Sequence, residues 1–228
     1  MKDGLLEKIR AVGHWRVVLR PLEPLREPLS FQQCATFVEN SRVSLRGWDY
    51  PHINHRQDDQ GGSERASDYY ENWCDWRTQV EFWRMYRSGQ FLSYNGLDDD
   101  LETNPRPVGS KRYINVIGAI YQVVEIVEFA HRLAAAGLRD GIDAQISLVN
   151  TRERFLEAGR NRMPFFDFLR AGSETISIVR QFEPKILEKG AASNALSVLI
   201  ELFDHFGWNP DPSQIRNDIE RFYRREFG

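Results

Sequence analysis

The segment 113–136 constrains the fold most, because it is the longest stretch with apolar residues at helical spacing. Its apolar positions are Val116, Ile117, Ile120, Val123, Val124, Val127, Ala130 and Leu133. A stripe this broad must be covered by other elements. Gly137 follows as a natural C-terminal stop. We therefore expect one long central helix in the core of the fold.

The helix carries four charged or titratable residues, Glu125, Glu128, His131 and Arg132. Most of them are expected on its solvent face. Glu128 and Arg132 are spaced four residues apart, with the acid nearer the N-terminus, which is the favourable order for an ion pair along a helix.

The aromatic-rich stretch 66–95 predicts a β-sheet. Its strands are expected at 67–76, 79–87 and 90–95. The pair Ser88-Gly89 is typical of a tight turn between the last two strands. Because short turns join only antiparallel neighbours, these strands should form an antiparallel meander.

The rest of the chain adds further strands, helices and loops. Strands are predicted at 15–19, 43–48, 142–149 and 175–182, helices at 3–12, 30–40, 191–206 and 212–226, and loops at 54–65 and 98–112. Together these predict an α+β fold with an antiparallel sheet of about five to seven strands, packed by the long central helix and followed by C-terminal helices. We expect one domain over 1–228, with 191–228 as its C-terminal helical part.

Composition narrows the class of protein. The chain has 228 residues and a formal net charge of −3, which does not favour binding to polyanions. Its two cysteines, Cys34 and Cys74, have neither the spacing of a zinc site nor the number needed for a disulfide scaffold. No run approaches the roughly 18 apolar residues of a membrane helix, and residues 1–10 lack an apolar signal core. A cytoplasmic protein without a membrane partner is expected.

Several familiar chemistries lack their motifs. The chain contains no GxxxxGK[ST] phosphate loop, no GxGxxG after a strand and no GxSxG elbow. We therefore expect no bound cofactor, and no catalytic residue can be assigned.

The candidate ligand-binding residues are Arg46, Trp48, Asp49, Tyr50 and His52. In a functional interpretation, the two aromatic rings form the wall of a pocket. Arg46 then offers a bidentate contact to an anion, and His52 titrates near neutral pH. In a structural interpretation, Arg46 pairs with Asp49 and Trp48 packs into the core.

A metal site is the alternative for this region, although the leading expectation is that no metal is bound. Its candidate ligands are His52, His55, Asp58 and Asp59. Imidazole and carboxylate ligands suit Zn, Mn or Fe. This alternative predicts a metal-dependent hydrolase or nuclease.

Nucleic acid and protein are alternative partners. Aromatic and arginine side chains alternate along the meander, at Trp73, Trp76, Arg77, Trp83, Arg84, Tyr86, Arg87 and Tyr94. Such residues can form a stacking platform for bases, but aromatics at alternating strand positions more often face a core. The mixed charges of the last helix suggest a solvated helix or one that docks on a protein.

Three segments resemble a bacterial family. They are VSLRGWDYPH at 43–52, EFWRMYRSGQF at 81–91, and residues 125–133. They are similar to an α+β region found alone or beside Schlafen-type AlbA domains, and the resemblance covers about residues 15–208. It implies an accessory or sensing module linked to defence or mobile elements, and it carries no established activity. This chain has no evident AlbA-like portion.

Taken together, the residues and the resemblance predict a non-catalytic binding or sensing module. Its ligand would be a protein partner, a nucleotide-like molecule or nucleic acid, bound at residues 46–52 with the 54–65 loop as a lid.

Overall fold

A computed structural model describes residues 1–101, 112–138, 140–159, 164–165 and 169–227. Its helices are α1 (Leu5–Arg10), α2 (Phe31–Ser41), α3 (Val116–Ala136), α4 (Pro184–Leu187), α5 (Ala191–Asp204) and α6 (Pro212–Tyr223). Its strands are β1 (His14–Pro21), β2 (Gly61–Arg65), β3 (Tyr69–Asp75), β4 (Val80–Tyr86), β5 (Phe91–Gly96), β6 (Tyr113–Asn115), β7 (Ile142–Val149), β8 (Phe155–Glu157) and β9 (Thr175–Phe182).

Seven strands form one antiparallel sheet in the order β2-β3-β4-β5-β1-β7-β9. The strands β6 and β8 form a separate parallel pair. The predicted α+β class, the meander and the long helix are confirmed. The first strand is central, because it lies between the last strand of the meander and β7.

Two predicted elements are wrong in detail. Residues 43–48 do not form a strand; a single bridge joins Val43 to Tyr50, with N–O distances of 2.7 and 2.9 Å. This bridge closes a turn, which we call the 43–50 loop. The predicted loop 54–65 carries β2. The first residue of this segment is bonded to the sheet, since the Asn54 backbone N–H donates to Asn72 Oδ1 at 2.9 Å.

The long helix begins three residues later than predicted, because residues 113–115 form β6. Asn115 caps the helix by accepting a hydrogen bond from the Gly118 N–H at 3.0 Å. Of the predicted loop 98–112, residues 102–111 lie outside the described residues. Gly137 ends the helix as expected. A Cβ there would lie 2.6 Å from Cζ of Phe37, so a larger residue would require the Phe37 ring to move.

The sheet is covered on both faces. The helices α2, α3, α5 and α6 belong to the main core on one face, and α1 covers a smaller cluster on the other. Successive side chains of β4 point to opposite faces of the sheet, so Phe82 packs toward α1 whereas Trp83 lies in the main core. Within the described part of the chain, no helix combines the length and hydropathy that crossing a bilayer requires.

The last helix is an integral part of the main core. Ile215, Ile219 and Phe222 are at most 1% exposed, and the ring of Phe222 stacks on Tyr121 at a centroid distance of 4.1 Å. Removing the predicted C-terminal helical part would therefore open the core, so a truncation there cannot serve as a test of partner binding.

Candidate functional site

A cavity of about 330 Å³ lies where the 43–50 loop crosses between the sheet and the N-terminal half of α3. Its principal lining residues are Trp15, Arg46, Trp48, Asp49, Tyr50, Gln79, Glu81, Asn95, Asp98, Asp99, Asn115, Gly118, Gln122 and Glu125. This volume is at the lower end of the range for small-molecule pockets. We refer to it as the acidic cavity, because five of these residues carry carboxylates.

The sheet register builds the floor of the acidic cavity. Glu81 of β4 lies opposite Asn95 of β5, and Asn95 lies opposite Trp15 of β1. Because residues in register on neighbouring strands point to the same face, these three side chains form one row directed toward α3. The side-chain amide of Asn95 donates to Glu81 within this row.

One face of α3 forms a wall. Gly118, Gln122 and Glu125 follow at spacings of four and three residues, which places them on the same side of a helix. Glu125 is fully buried, whereas Gly118 lies at the exposed rim. The wall therefore runs from an open mouth at the start of α3 to a buried carboxylate.

Arg46 ties the 43–50 loop to this wall. Its Nε donates to both carboxylate oxygens of Glu125 at 3.1 Å, and its Nη2 donates to Glu125 Oε2 at 2.8 Å. The same Nη2 donates to Gln122 Oε1 at 3.1 Å. A bidentate guanidinium–carboxylate pair of this kind fixes orientation as well as distance.

Trp48 ties the same loop to the floor. Its indole Nε1–H donates to Glu81 Oε1 at 2.6 Å. The indole stacks on the ring of His52, with centroids 3.8 Å apart, and the backbone carbonyl of His52 accepts a 2.7 Å hydrogen bond from Trp83. The loop is thus held by two buried carboxylates, one on the sheet and one on α3.

Burial changes the acidity of both anchoring carboxyl groups. It raises the pKa of Glu81 to about 7, against the opposing effect of the Trp48 hydrogen bond. Burial also raises the pKa of Glu125 to about 7, although the contact with Arg46 acts in the other direction. Both groups therefore change charge near neutral pH, which is a property common at functional sites.

Substituting Glu81 with Gln should remove a pH dependence of stability. A carboxyl group whose folded-state pKa is raised stabilises the fold below its unfolded pKa, and this contribution disappears as pH rises through about 7. We therefore compare the free energy of unfolding of Glu81→Gln with that of wild type at each pH. This difference should favour the variant by about 1–3 kcal/mol more at pH 8 than at pH 5.5. Urea unfolding at both pH values measures this difference.

The matched control is Glu39→Gln, at an exposed position of α2. It should change the free energy of unfolding equally at both pH values. If Glu81→Gln behaves in the same way, Glu81 does not change its charge between pH 5.5 and 8, and the pKa assigned to it is wrong.

The structure brings four of the five predicted ligand-binding residues to the acidic cavity. Arg46, Trp48 and Asp49 border it, as does Tyr50, which is only 2% exposed and donates or accepts a 2.9 Å hydrogen bond with Ser93. His52 lies behind Trp48, and burial lowers the pKa of its imidazole.

One expected contact of Arg46 is wrong. It does not pair with Asp49, which instead faces Arg42 at 3.7 Å. Its Nε and Nη2 are engaged by Glu125 instead.

The alternative metal ligands are not assembled. Among the described residues, no group of three or more His, Cys, Asp or Glu side chains is arranged to hold a metal ion. Asp58 forms an exposed ion pair with Arg56 at 2.5 Å, and His52 stacks on Trp48. His55 and Asp59 are exposed.

Two aromatic residues of the proposed stacking platform are buried. Trp83 is 1% exposed and Tyr94 is 8% exposed, so each faces a core. Arg84 lies over the ring of Tyr69 at 4.4 Å and pairs with the buried Glu71 at 2.5 Å. Arg84 is thus already paired with a carboxylate and a ring of the same sheet.

Sequence reasoning missed the two anchoring carboxylates. Glu125 was expected on the solvent face of the helix, yet it is fully buried; only the expected pair of Glu128 and Arg132 is confirmed, at 2.8 Å. The sequence did contain signals of their burial. Glu125 lies inside the apolar run Val-Val-Glu-Ile-Val at 123–127, and Glu81 lies between Val80 and Phe82.

No protein-family model, curated protein or solved structure matches this chain. Its function must therefore be inferred from the acidic cavity.

Proposed function

We propose that this protein is a non-catalytic module that binds or senses a small molecule in the acidic cavity. The supporting observation is a cavity of about 330 Å³ that contains two tryptophans beside buried carboxylates. A concave site with apolar rings and a few convergent polar groups is typical of small-molecule recognition. A small ligand is favoured over nucleic acid or a protein, because the polar groups converge inside the fold.

The rim of the cavity supports this proposal, because it is held in a fixed geometry. Asp98 and Asp99 border the cavity, and the next residue, Asp100, pairs with the fully buried Arg154. The Gly13 backbone N–H also donates to Asp100, at 2.7 Å. A site whose walls are already in place loses less entropy on binding.

Gly118 offers a test that does not depend on which small molecule binds. A Cβ at this position would lie 3.7 Å from Asn115 Cβ, which is an ordinary contact. Gly118→Ala should therefore fold and gain up to about 1 kcal/mol from helix propensity. Gly118→Leu should also fold, but its side chain would extend into the mouth of the cavity.

Both variants should be compared with wild type in a thermal-shift screen of fragments about the size of an amino acid or a nucleobase. We expect at least one fragment to raise the Tm of wild type and Gly118→Ala but not of Gly118→Leu. If every stabilising fragment acts equally on Gly118→Leu, or none stabilises the protein, the cavity is not a binding site.

An acid–base enzyme is the second candidate. The observation in its favour is that two carboxyl groups of the same cavity, Glu81 and Glu125, have pKa values raised to about 7. Groups with such values serve as general acids or bases at neutral pH. Conversion of a bound fragment by wild type but not by Glu81→Gln, followed by NMR, would favour this candidate over the binding module.

The setting of the protein is also a proposal. Both cysteines are free and buried, which suits a reducing cytoplasm. The resemblance of residues 43–52, 81–91 and 125–133 to the bacterial family supports a role as an accessory to defence systems.

A further inference from the structure

The charge of the acidic cavity limits the chemistry of its ligand. Five carboxylates border it, from Asp49, Glu81, Asp98, Asp99 and Glu125, and the lining includes one guanidinium, that of Arg46. This guanidinium is paired with Glu125 at 2.8 Å. An anionic ligand would add negative charge to this set of acids, whereas a cation would reduce the repulsion among them.

Two buried polar atoms of the lining lack partners among the described residues. They are Oδ1 of Asn95 and Nε2 of Gln122. A buried polar atom without a hydrogen bond costs about 1–3 kcal/mol, so such atoms often mark the place of a ligand or water. Asn95 Oδ1 can accept a hydrogen bond beside the Glu81 carboxylate, and Gln122 Nε2 can donate one across the cavity.

The acceptors are grouped on one side of the cavity. Glu81 is 4% exposed, and its neighbour Asn95 belongs to the same cross-strand row. A ligand group with several N–H donors could satisfy Glu81 and Asn95 Oδ1 together. Trp15 and Trp48 border the same space, and indole rings attract cations.

We propose that the ligand is a small organic cation with several N–H donors, such as a primary amine, an amidine or a guanidine, and that it pairs with Glu81. This inference deepens the proposed function and rests on it. The cavity volume suits a single ring or a short chain. Its acids are spread over the loop, the sheet and α3, and they are not grouped as metal ligands in the described residues.

The test uses benzamidine together with its neutral and anionic analogues, benzamide and benzoate. The three probes have nearly the same shape and differ in charge, so shape cannot explain a difference in binding. A second set, butylamine, butanol and butyrate, repeats the comparison without an aromatic ring. Mg²⁺ and Ca²⁺ are titrated separately.

The readout is the indole N–H signal of Trp48 in a ¹H–¹⁵N spectrum. The chain has six tryptophans, so the indole region is simple, and Trp48→Phe assigns the signal. Because this N–H donates to Glu81 at 2.6 Å, a cation that binds the carboxylate should shift it.

We expect saturable shifts with benzamidine and butylamine, at least tenfold weaker binding in Glu81→Gln, and unchanged binding in Glu39→Gln. Loss of binding in Gly118→Leu would place the probe in the cavity. Benzoate, benzamide or a metal ion could instead bind more strongly than benzamidine and butylamine. If Gly118→Leu abolished that binding, the proposal of an organic cation would be wrong, but the cavity would still be a binding site. Absence of any response, combined with an empty fragment screen, would overturn both proposals.

Discussion

Replacing Asp100 with alanine is expected to lower the free energy of unfolding by about 3–5 kcal/mol. The reason is the buried guanidinium of Arg154, which has no exposed surface. Its Nη1 donates to Asp100 Oδ1 at 2.9 Å, its Nη2 donates to Asp100 Oδ2, and its Nε donates to the Asn150 carbonyl at 2.6 Å. Without Asp100, a charged group would remain buried with one backbone carbonyl as its main partner.

A second arginine nearby gives a matched control. Arg152 pairs with Glu174 at 3.7 Å, and both side chains are more than half exposed. Arg152→Met should therefore change the free energy of unfolding by no more than about 0.5 kcal/mol. Urea unfolding compares the two variants. A loss below about 1 kcal/mol for Asp100→Ala would show that Arg154 reaches solvent or another partner.

The double variant Asp100→Ala, Arg154→Met separates the charge from the packing. Removing both partners leaves no buried charge, so it should recover part of the loss seen with Asp100→Ala alone. If the double variant is less stable than Asp100→Ala, the hydrogen bond from Arg154 to the Asn150 carbonyl contributes more than the unpaired charge costs.

Arg46→Met is expected to cost about 3 kcal/mol at pH 8, because it leaves the fully buried Glu125 carboxylate without its cation. The cost should shrink at pH 5.5. Burial already raises the pKa of Glu125 to about 7, and loss of Arg46 removes the main contact that opposes this rise. The carboxyl group would then take up a proton and become neutral. Urea unfolding at the two pH values measures the change.

Arg42→Met, at the residue directly before the 43–50 loop, controls for this prediction. Arg42 faces Asp49 at 3.7 Å with a 42% exposed side chain, so its loss should have little effect at either pH. The double variant Arg46→Met, Glu125→Met should be more stable at pH 8 than Arg46→Met alone, because it leaves no buried carboxylate. A cost that is equal at both pH values would contradict the role given to Glu125. Arg46 is thus part of the structure, so its substitution does not report on ligand binding alone.

The elements of the fold could be predicted from local patterns. The stripe of α3 repeats at the period of a helix, and the meander alternates at the period of a strand, so short windows of sequence were sufficient. The secondary-structure predictions were wrong where a tertiary contact decides the conformation of a segment. Residues 43–48 have strand-forming side chains but no neighbouring strand to pair with, and the bridge between Val43 and Tyr50 makes them a loop.

The candidate site could be predicted only in part. The aromatic and charged cluster at residues 46–52 indicated the loop, because its composition is unusual. Its partners were not evident, because Glu81 and Glu125 are far away in sequence and meet Arg46 and Trp48 only through the packing of α3 on the sheet. The apolar sequence neighbours of each acid indicate burial, but they do not indicate which residue pairs with it.

The central position of β1 bears on how the chain folds. This strand is synthesised early, yet its partners β5 and β7 come much later, and α3 lies between them in sequence. Pairing at such long range is slow, since the loop-closure entropy is paid before the contacts form. Trp15 of β1 lies in the floor of the acidic cavity, so the cavity is complete only once β1 has paired with β5.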